Sequence, residues 1–288
     1  MESFFETVKS RKSVRTYDGR MLSEEHRKAI EDYIKDIPNP FGIPVEFKLL
    51  DAKEHGLSSP VLGGEQLYVA GKVSKKAYAE AAFGYSFEKL VLYAQSLGIA
   101  TVWIGGTMKR EKFEEAAGLK EGELMPCVSP LGYPAQKRSL KEMMMRKGVG
   151  ADSRIPADKL FFRNSWGNPL LPEGDMAELF ETVRWAPSAV NKQPWRIIFK
   201  DGIYHFYEKK DKGFIREATG DLQKTDVGIA LCHFITGAEA MGWQAVVKVD
   251  EPGLETPDDT EYVASVRISG RKSETAAFAA EIRKEYEK

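Results

Sequence analysis

Cysteine is nearly absent. Cys127 and Cys232 are the two in 288 residues, they lie far apart and they form no CxxC pair. That argues against a disulfide framework or a cysteine zinc site and suits a reducing compartment. Histidine is as sparse. His26, His55, His205 and His233 are scattered, with no metal-ligand or triad spacing. His233, beside Cys232 on an apolar stretch, reads as a core residue. Neither charge is in excess: Lys and Arg number 42, Asp and Glu 43, for a formal net charge of −1. A chain so balanced has no global basic surplus for nucleic acid or an anionic membrane. No apolar run approaches the roughly 20 residues that span a bilayer. The opening, with Phe4, Phe5, Glu6 and Val8, lacks the apolar core of a signal peptide. The expectation is a soluble, cytoplasmic protein with no nucleic-acid or membrane partner.

What is present is an ordinary globular mix, 42% hydrophobic and 30% charged, enough for a sizeable core. Apolar spacing predicts helices over 3–10, 23–37, 78–97, 109–117, 175–185 and 226–241, and a charged helix at the C-terminus. Strands are predicted over 45–50, 67–72, 99–104, 127–133, 196–200, 203–208, 244–249 and 262–268. The helices over 78–97 and 226–241 are apolar on most faces and read as buried, each ended by a glycine, Gly98 and Gly242. Residues 134–156 carry Lys137, Arg138, Lys141, Arg146, Lys147 and Arg154 and read as a linker.

The two halves share an order of landmarks. Arg11-x-Ser13 corresponds to Arg163-x-Ser165, Leu22-x-Glu24 to Leu171-x-Glu173, Pro38 to Pro187, Pro44 to Pro194, and Gly98 to Gly242. Offsets that drift by only a few residues predict a duplicated unit, 1–150 followed by 151–288. The halves have diverged. The first keeps a basic Arg11-Lys12-Ser13-Val14-Arg15 where the second reads Arg163-Asn164-Ser165-Trp166-Gly167. The second keeps Pro187-Ser188-Ala189-Val190-Asn191 where the first reads Pro38-Asn39-Pro40-Phe41-Gly42. Prolines alone make a turn. Ser188, Asn191 and Gln193 add neutral groups that donate and accept hydrogen bonds, suited to the edge of a flat polar-rimmed ligand.

Together these segments resemble the FMN-dependent nitroreductase family, in its branch with two fused nitroreductase-like halves. The resemblance rests on Arg11 to Arg15, Ala186 to Trp195, Leu97 to Gly106, Leu131-Gly132-Tyr133-Pro134-Ala135 and Ser153-Arg154-Ile155-Pro156, in the family's order. It implies an α+β fold of two pseudo-symmetric halves, each a small mostly antiparallel sheet flanked by helices, forming an intramolecular pseudo-dimer. It implies FMN as cofactor and NAD(P)H as electron donor. Arg11, Lys12, Ser13, Arg15 and Arg154 would meet the phosphate and ribityl oxygens. Pro187, Ser188, Ala189, Asn191 and Gln193 would come from the opposite half, and Ile104, Gly105 and Gly106 would approach the ring's reactive edge. The family often has a lysine two residues before Arg154; Asp152 stands there instead. The implied activity passes hydride from NAD(P)H through the flavin to an electron-poor small molecule, a nitro compound or quinone, by ping-pong. No catalytic side chain and no metal is required. A non-catalytic flavin-binding sensor is the alternative. A fused pair makes its own two-fold, so a monomer is expected.

Overall fold

The computed structural model describes residues 3–270, so the charged C-terminal helix expected from the sequence lies outside the described residues. The first half runs α1 (Phe4–Ser10), α2 (Glu24–Tyr33), β1 (Val45–Asp51), β2 (Leu67–Ser74), α3 (Ala79–Ser96), α4 (Arg110–Ala117), β3 (Glu123–Leu124), β4 (Val128–Leu131) and α5 (Leu140–Gly148). The second runs β5 (Phe161–Arg163), α6 (Gly174–Trp185), β6 (Trp195–Lys200), β7 (Ile203–Lys209), β8 (Ile215–Arg216), β9 (Gly220–Asp221), α7 (Leu222–Ala240), β10 (Gln244–Lys248) and β11 (Thr260–Ser269). Local chemistry sets the helix starts. The Ser3 hydroxyl and the Glu6 carboxylate form a reciprocal capping box on α1, and the Ser23 hydroxyl accepts from His26 N at 3.2 Å to open α2.

The sheets are two. In the first, β2 is flanked by β1 on one side and by β3 and β4 on the other, all antiparallel. The second has the order β10-β11-β7-β6-β5, antiparallel except for the parallel β5–β6 pair. Each sheet packs against its own long helix, α3 or α7, and the two helices pack against each other. There the chain needs glycine. A Cβ on Gly84 would lie 2.0 Å from Thr225 O, and one on Gly228 would lie 2.1 Å from Ala81 O. Ala81 and Thr225, like Gly84 and Gly228, have the 144-residue spacing of Gly98 and Gly242. The contact is reciprocal, so a pseudo-two-fold axis passes through the α3–α7 crossing. Both helices are buried on nearly every side, with Phe83, Phe87 and Phe234 fully enclosed.

Strands β3, β5, β8 and β9 are additional to the sequence expectation, the helix predicted over 23–37 ends at Tyr33, and three further departures have a local cause. Residues 99–104 are extended and largely buried, but they pair only through isolated bridges, Ser13–Thr101, Ala100–Gly132 and Ile104–Val128. A side chain intercepts the ladder: Val102 N donates to Ser129 Oγ at 3.1 Å rather than to a backbone carbonyl. Residues 134–156 are not a structureless linker, because α5 occupies their centre, its first turn capped by the Ser139 hydroxyl accepting from Glu142 N at 3.1 Å. Helix α7 begins four residues earlier than expected, where the Asp221 carboxylate accepts from Gln223 N and Lys224 N.

Candidate functional site

Arg11 is the residue at which α1 gives way to extended chain. From there the backbone is held on the first half by Val14 N donating to Thr101 O at 3.0 Å and Tyr17 N to Gly63 O at 2.8 Å. This fixes Arg11 inward: it is 8% exposed, and neither its Nε nor its Nη1 has a hydrogen-bond partner. Arg15 is half-buried with the same two nitrogens unmet, and Arg154 has an unmet Nε. A buried guanidinium without partners carries an uncompensated desolvation cost. Arg11 and Arg15 each feel Arg146 on α5, and Arg154 feels Arg11 and Arg184. Burial pushes the Arg11 guanidinium below its ordinary range, with Arg146 adding and Glu88 opposing. Burial, aided by Arg11, pushes Arg154 down to about 10. Arginine stays charged in proteins, so these directions mark a cluster that an anion would stabilise. Arg146 is paired to Asp152, and the Arg154 guanidinium sits 4.6 Å above the Trp185 ring while its Nη2 donates to Trp185 O at 3.4 Å. Ser13 is half-buried at the Thr101 bridge. Lys12 is exposed.

The Pro187 to Pro194 loop faces the same region from the second half. Three non-glycine residues in it have positive φ: Val190 at 43°, Asn191 at 58° and Gln193 at 50°. Strained backbone so concentrated persists only where its surroundings fix it. Here they do. Asn191 Nδ2 donates to Gly150 O at 2.8 Å and Ser153 O at 3.1 Å. The buried Gln193 accepts from Ile155 N through Oε1 at 2.9 Å, and its Nε2 donates to Asn191 O at 3.2 Å. Ser188 Oγ accepts from Gln193 N at 2.9 Å. The polar side chains read as ligand donors thus clamp the loop onto residues 150–155, the segment that carries Arg154. Pro187, Ser188 and Ala189 are left half-buried.

Asp226 links this loop to the third part. Its two carboxylate oxygens receive the single N–H of Ala189, at 3.1 and 3.0 Å. Burial raises its pKa well above the usual carboxylate range, and Asp221 and Glu208 add to that. Cys127 is buried near it, with its thiol pushed up to about 12 by burial and by Asp226, so it is no nucleophile. A Cβ on Gly105 would meet Cys127 Sγ at 3.2 Å and Leu222 Cδ1 at 3.6 Å, so glycine there has a packing reason; Gly106 is exposed with nothing within 4 Å. Ile104 is buried and pairs with Val128. Among the described residues no group of three or more His, Cys, Asp or Glu is placed to hold a metal.

Sequence reasoning named most of these positions but missed Glu142, Arg146 and Asp226. For Glu142 a signal existed: Ser139-x-x-Glu142 is a helix-start pattern inside the segment read as linker. Its buried carboxylate accepts from Arg15 N at 3.3 Å and Thr16 Oγ1 at 2.8 Å, which docks α5 on the basic strand. Arg146, on the same inner face, was lost among the surface cations of its neighbourhood.

The family model described as "Putative TM nitroreductase" matches residues 3–238, and the chain belongs to that family. No curated protein matches the sequence. Among solved structures, a Thermotoga maritima MSB8 protein described as a "putative nitroreductase" superposes with a TM-score of 0.60 at 20% identity, covering 92% of this chain and 93% of its own. A Bacteroides fragilis NCTC 9343 nitroreductase with bound FMN covers 49% of this chain and 92% of its own, at 22% identity and a TM-score of 0.40.

Proposed function

We propose that the chain is an FMN-dependent oxidoreductase with NAD(P)H as donor. The observation that carries this is the buried Arg11, with two guanidinium nitrogens unmet, together with Arg15 in the same condition and Arg154 with its Nε unmet. A phosphate offers several acceptor oxygens to such forked donors at once. In this reading Arg11, Arg15 and Arg154 hold the phosphate, with Ser13 nearby. Pro187, Ser188 and Ala189 border the ring from the second half, held in place by Asn191 and Gln193. The backbone of Gly105 and Gly106 borders the ring's reactive edge. When bound, FMN supplies hydride acceptance from NAD(P)H and delivery to an electron-poor acceptor such as a nitro compound or quinone. The halves 1–150 and 151–288 make one site between them, so the chain works as a monomer.

A visible spectrum of the purified protein tests the cofactor: a colourless protein that takes up no FMN overturns the proposal. Anaerobic mixing with NADH and then NADPH tests turnover. Bleaching by either supports the enzyme. Failure of both leaves a non-catalytic flavin-binding protein. A solution mass near twice 32.3 kDa would overturn the monomer.

A further inference from the structure

Helix α5 is inside out. Its inner face carries charge: Glu142 is 1% exposed and Arg146 8%. Its outer face is apolar: Leu140 is 76% exposed, Met144 75% and Met143 48%. Helical spacing sets Met143, Leu140 and Met144 on one stripe, with the exposed Lys147 between them. Three large apolar side chains grouped on one short helix are more than scattered surface hydrophobicity, and they mark a face that is covered in use. The charges around the stripe are of one sign. Lys137, Arg138, Lys141 and Lys147 are all exposed; Arg138 lies 3.6 Å from the buried Glu142 and Lys141 donates to Pro60 O, which leaves Lys137 and Lys147 the least engaged, and Asp152 is paired to Arg146.

We propose that this face docks on an anionic lipid bilayer surface, with Leu140, Met143 and Met144 entering the headgroup region and the cations around them, Lys137 and Lys147 foremost, lying on the lipid phosphates. A stripe of aliphatic side chains ringed by Lys and Arg is the chemistry of an interfacial helix. A second copy fits worse, because a two-fold contact through this stripe would set Lys137, Lys141 and Lys147 against their own counterparts. A nucleic acid would answer the cations but leave Leu140, Met143 and Met144 in water. The docking does not depend on the flavin reading. If both hold, the site would discharge electrons beside a bilayer, where lipophilic quinones partition.

The test is co-sedimentation of the full chain with phosphatidylcholine vesicles, with and without phosphatidylglycerol, at physiological salt. The proposal expects at least tenfold tighter binding to the anionic vesicles. It expects that gain to be lost in a Lys137→Glu, Lys147→Glu double variant. A Met143→Ser, Met144→Ser double variant, at exposed positions that leave thermal unfolding unchanged, should weaken anionic binding at least tenfold. Equal binding to both vesicles, binding to neither, or full binding by the serine variant overturns it. A bimane at Met144→Cys gives a second readout, since Cys127 and Cys232 are both buried. It should shift blue only on adding anionic vesicles. A label already shielded without lipid means that another part of the chain or a second copy covers the face, and overturns the proposal. So does tighter binding to a single-stranded oligonucleotide than to anionic vesicles.

Discussion

The chain enters each half along an Arg-x-Ser segment, and the two arginines are treated in opposite ways. Arg11 is turned inward among other cations with two nitrogens unmet. Arg163, at the end of β5, is exposed and lies 5.8 Å over the Phe199 ring. The proline-bracketed loops differ in the same sense. In the first, Asn39 is satisfied at home: its Oδ1 accepts from Phe41 N and Ile43 N, and its Nδ2 donates to Ile43 O and Ser86 Oγ. The positive φ there falls on Gly42. In the second, positive φ falls on Val190, Asn191 and Gln193, and the amides reach out to residues 150–155. The two halves share a landmark order and a reciprocal helix contact. Unmet arginine nitrogens and a run of positive φ collect in Arg11 to Arg15, Arg154 and the 187–194 loop; of the counterparts, Arg163 is exposed, Asn39 is satisfied locally, and Asn164 alone keeps a non-glycine positive φ of 65°. Local rules are expected to fail at functional sites and hold elsewhere.

The largest effects should be symmetric. Gly84→Leu and Gly228→Leu each drive a side chain into a carbonyl across the α3–α7 crossing. Each should cost more than about 4 kcal/mol, in the range reserved for severe core defects. Urea titration should find no stable fold in either; a variant that tolerates one but not the other would break the two-fold. The arginines should then separate the halves. Arg11→Ala should weaken FMN binding by about 100- to 1,000-fold, as removal of a buried charged donor does. Because it also removes unmet buried nitrogens, the FMN-free protein should melt no lower than wild type. Arg163→Ala should change affinity less than about twofold, within the range of exposed charges. Equal losses measured by flavin fluorescence would show that both segments hold phosphate.

The fold was legible because its signals are periodic. Glycines 98 and 242 ended the two buried helices, and alternation marked β1. The α3–α7 axis was not, since Gly84 and Gly228 look like ordinary helix glycines until their neighbours across the crossing are known. Around the site, residue types were readable and partners were not. Arg11 was legible through its motif, but its burial and its two unmet nitrogens were not. Asn191 and Gln193 were legible as polar in a turn, but not as a clamp on 150–155. Charge balance misled most at α5: a chain-wide net charge of −1 hides a local surface of cations, and only the fold shows that its acid, Glu142, is inside.

A third asymmetry should show as pH dependence. By register Glu208 pairs with Trp195 at the start of the β6–β7 ladder, where Val73 pairs with Val45 in β1–β2. Glu208 is fully buried with both oxygens unmet, and burial, aided by Asp221, raises its pKa from 4.5 to about 8. The folded form therefore keeps a proton that the unfolded chain releases from about pH 4.5 upward. Stability contributed by neutral Glu208 is complete below that pH and is lost as pH rises to about 8, by up to about 1.4 kcal/mol per pH unit. Urea unfolding at pH 5 and pH 8 should show wild type losing about 3 kcal/mol more than Glu208→Gln. Parallel profiles would mean that Glu208 is ionised in the fold.

The smallest effect is the most discriminating, because the loops should answer with opposite signs. Val190 holds φ 43° and ψ 31°, a left-handed conformation that costs a β-branched residue about 1–2 kcal/mol. Val190→Gly removes that cost but adds about 0.5–1 kcal/mol of unfolded-state entropy. Val190 is 59% exposed, so little packing is lost. The net is a gain of about 0.5–1 kcal/mol, a rise of about 2 °C in Tm for a chain of this size. Gly42→Ala works in reverse: φ is +62° and no atom lies within 4 Å of the new Cβ, so left-handed strain of about 1–2 kcal/mol outweighs the unfolded-state entropy regained and the variant should lose about 0.5–1 kcal/mol. FMN affinity should move only with the strained loop. Glycine at 190 loosens a backbone that Asn191 and Gln193 hold in place, and lost preorganisation should weaken binding severalfold while the protein becomes more stable. Calorimetric melting and flavin titration on the two variants decide it. A Val190→Gly protein that melts lower, or a Gly42→Ala protein that binds FMN more weakly, would mean that strain in the 187–194 loop does not serve the site.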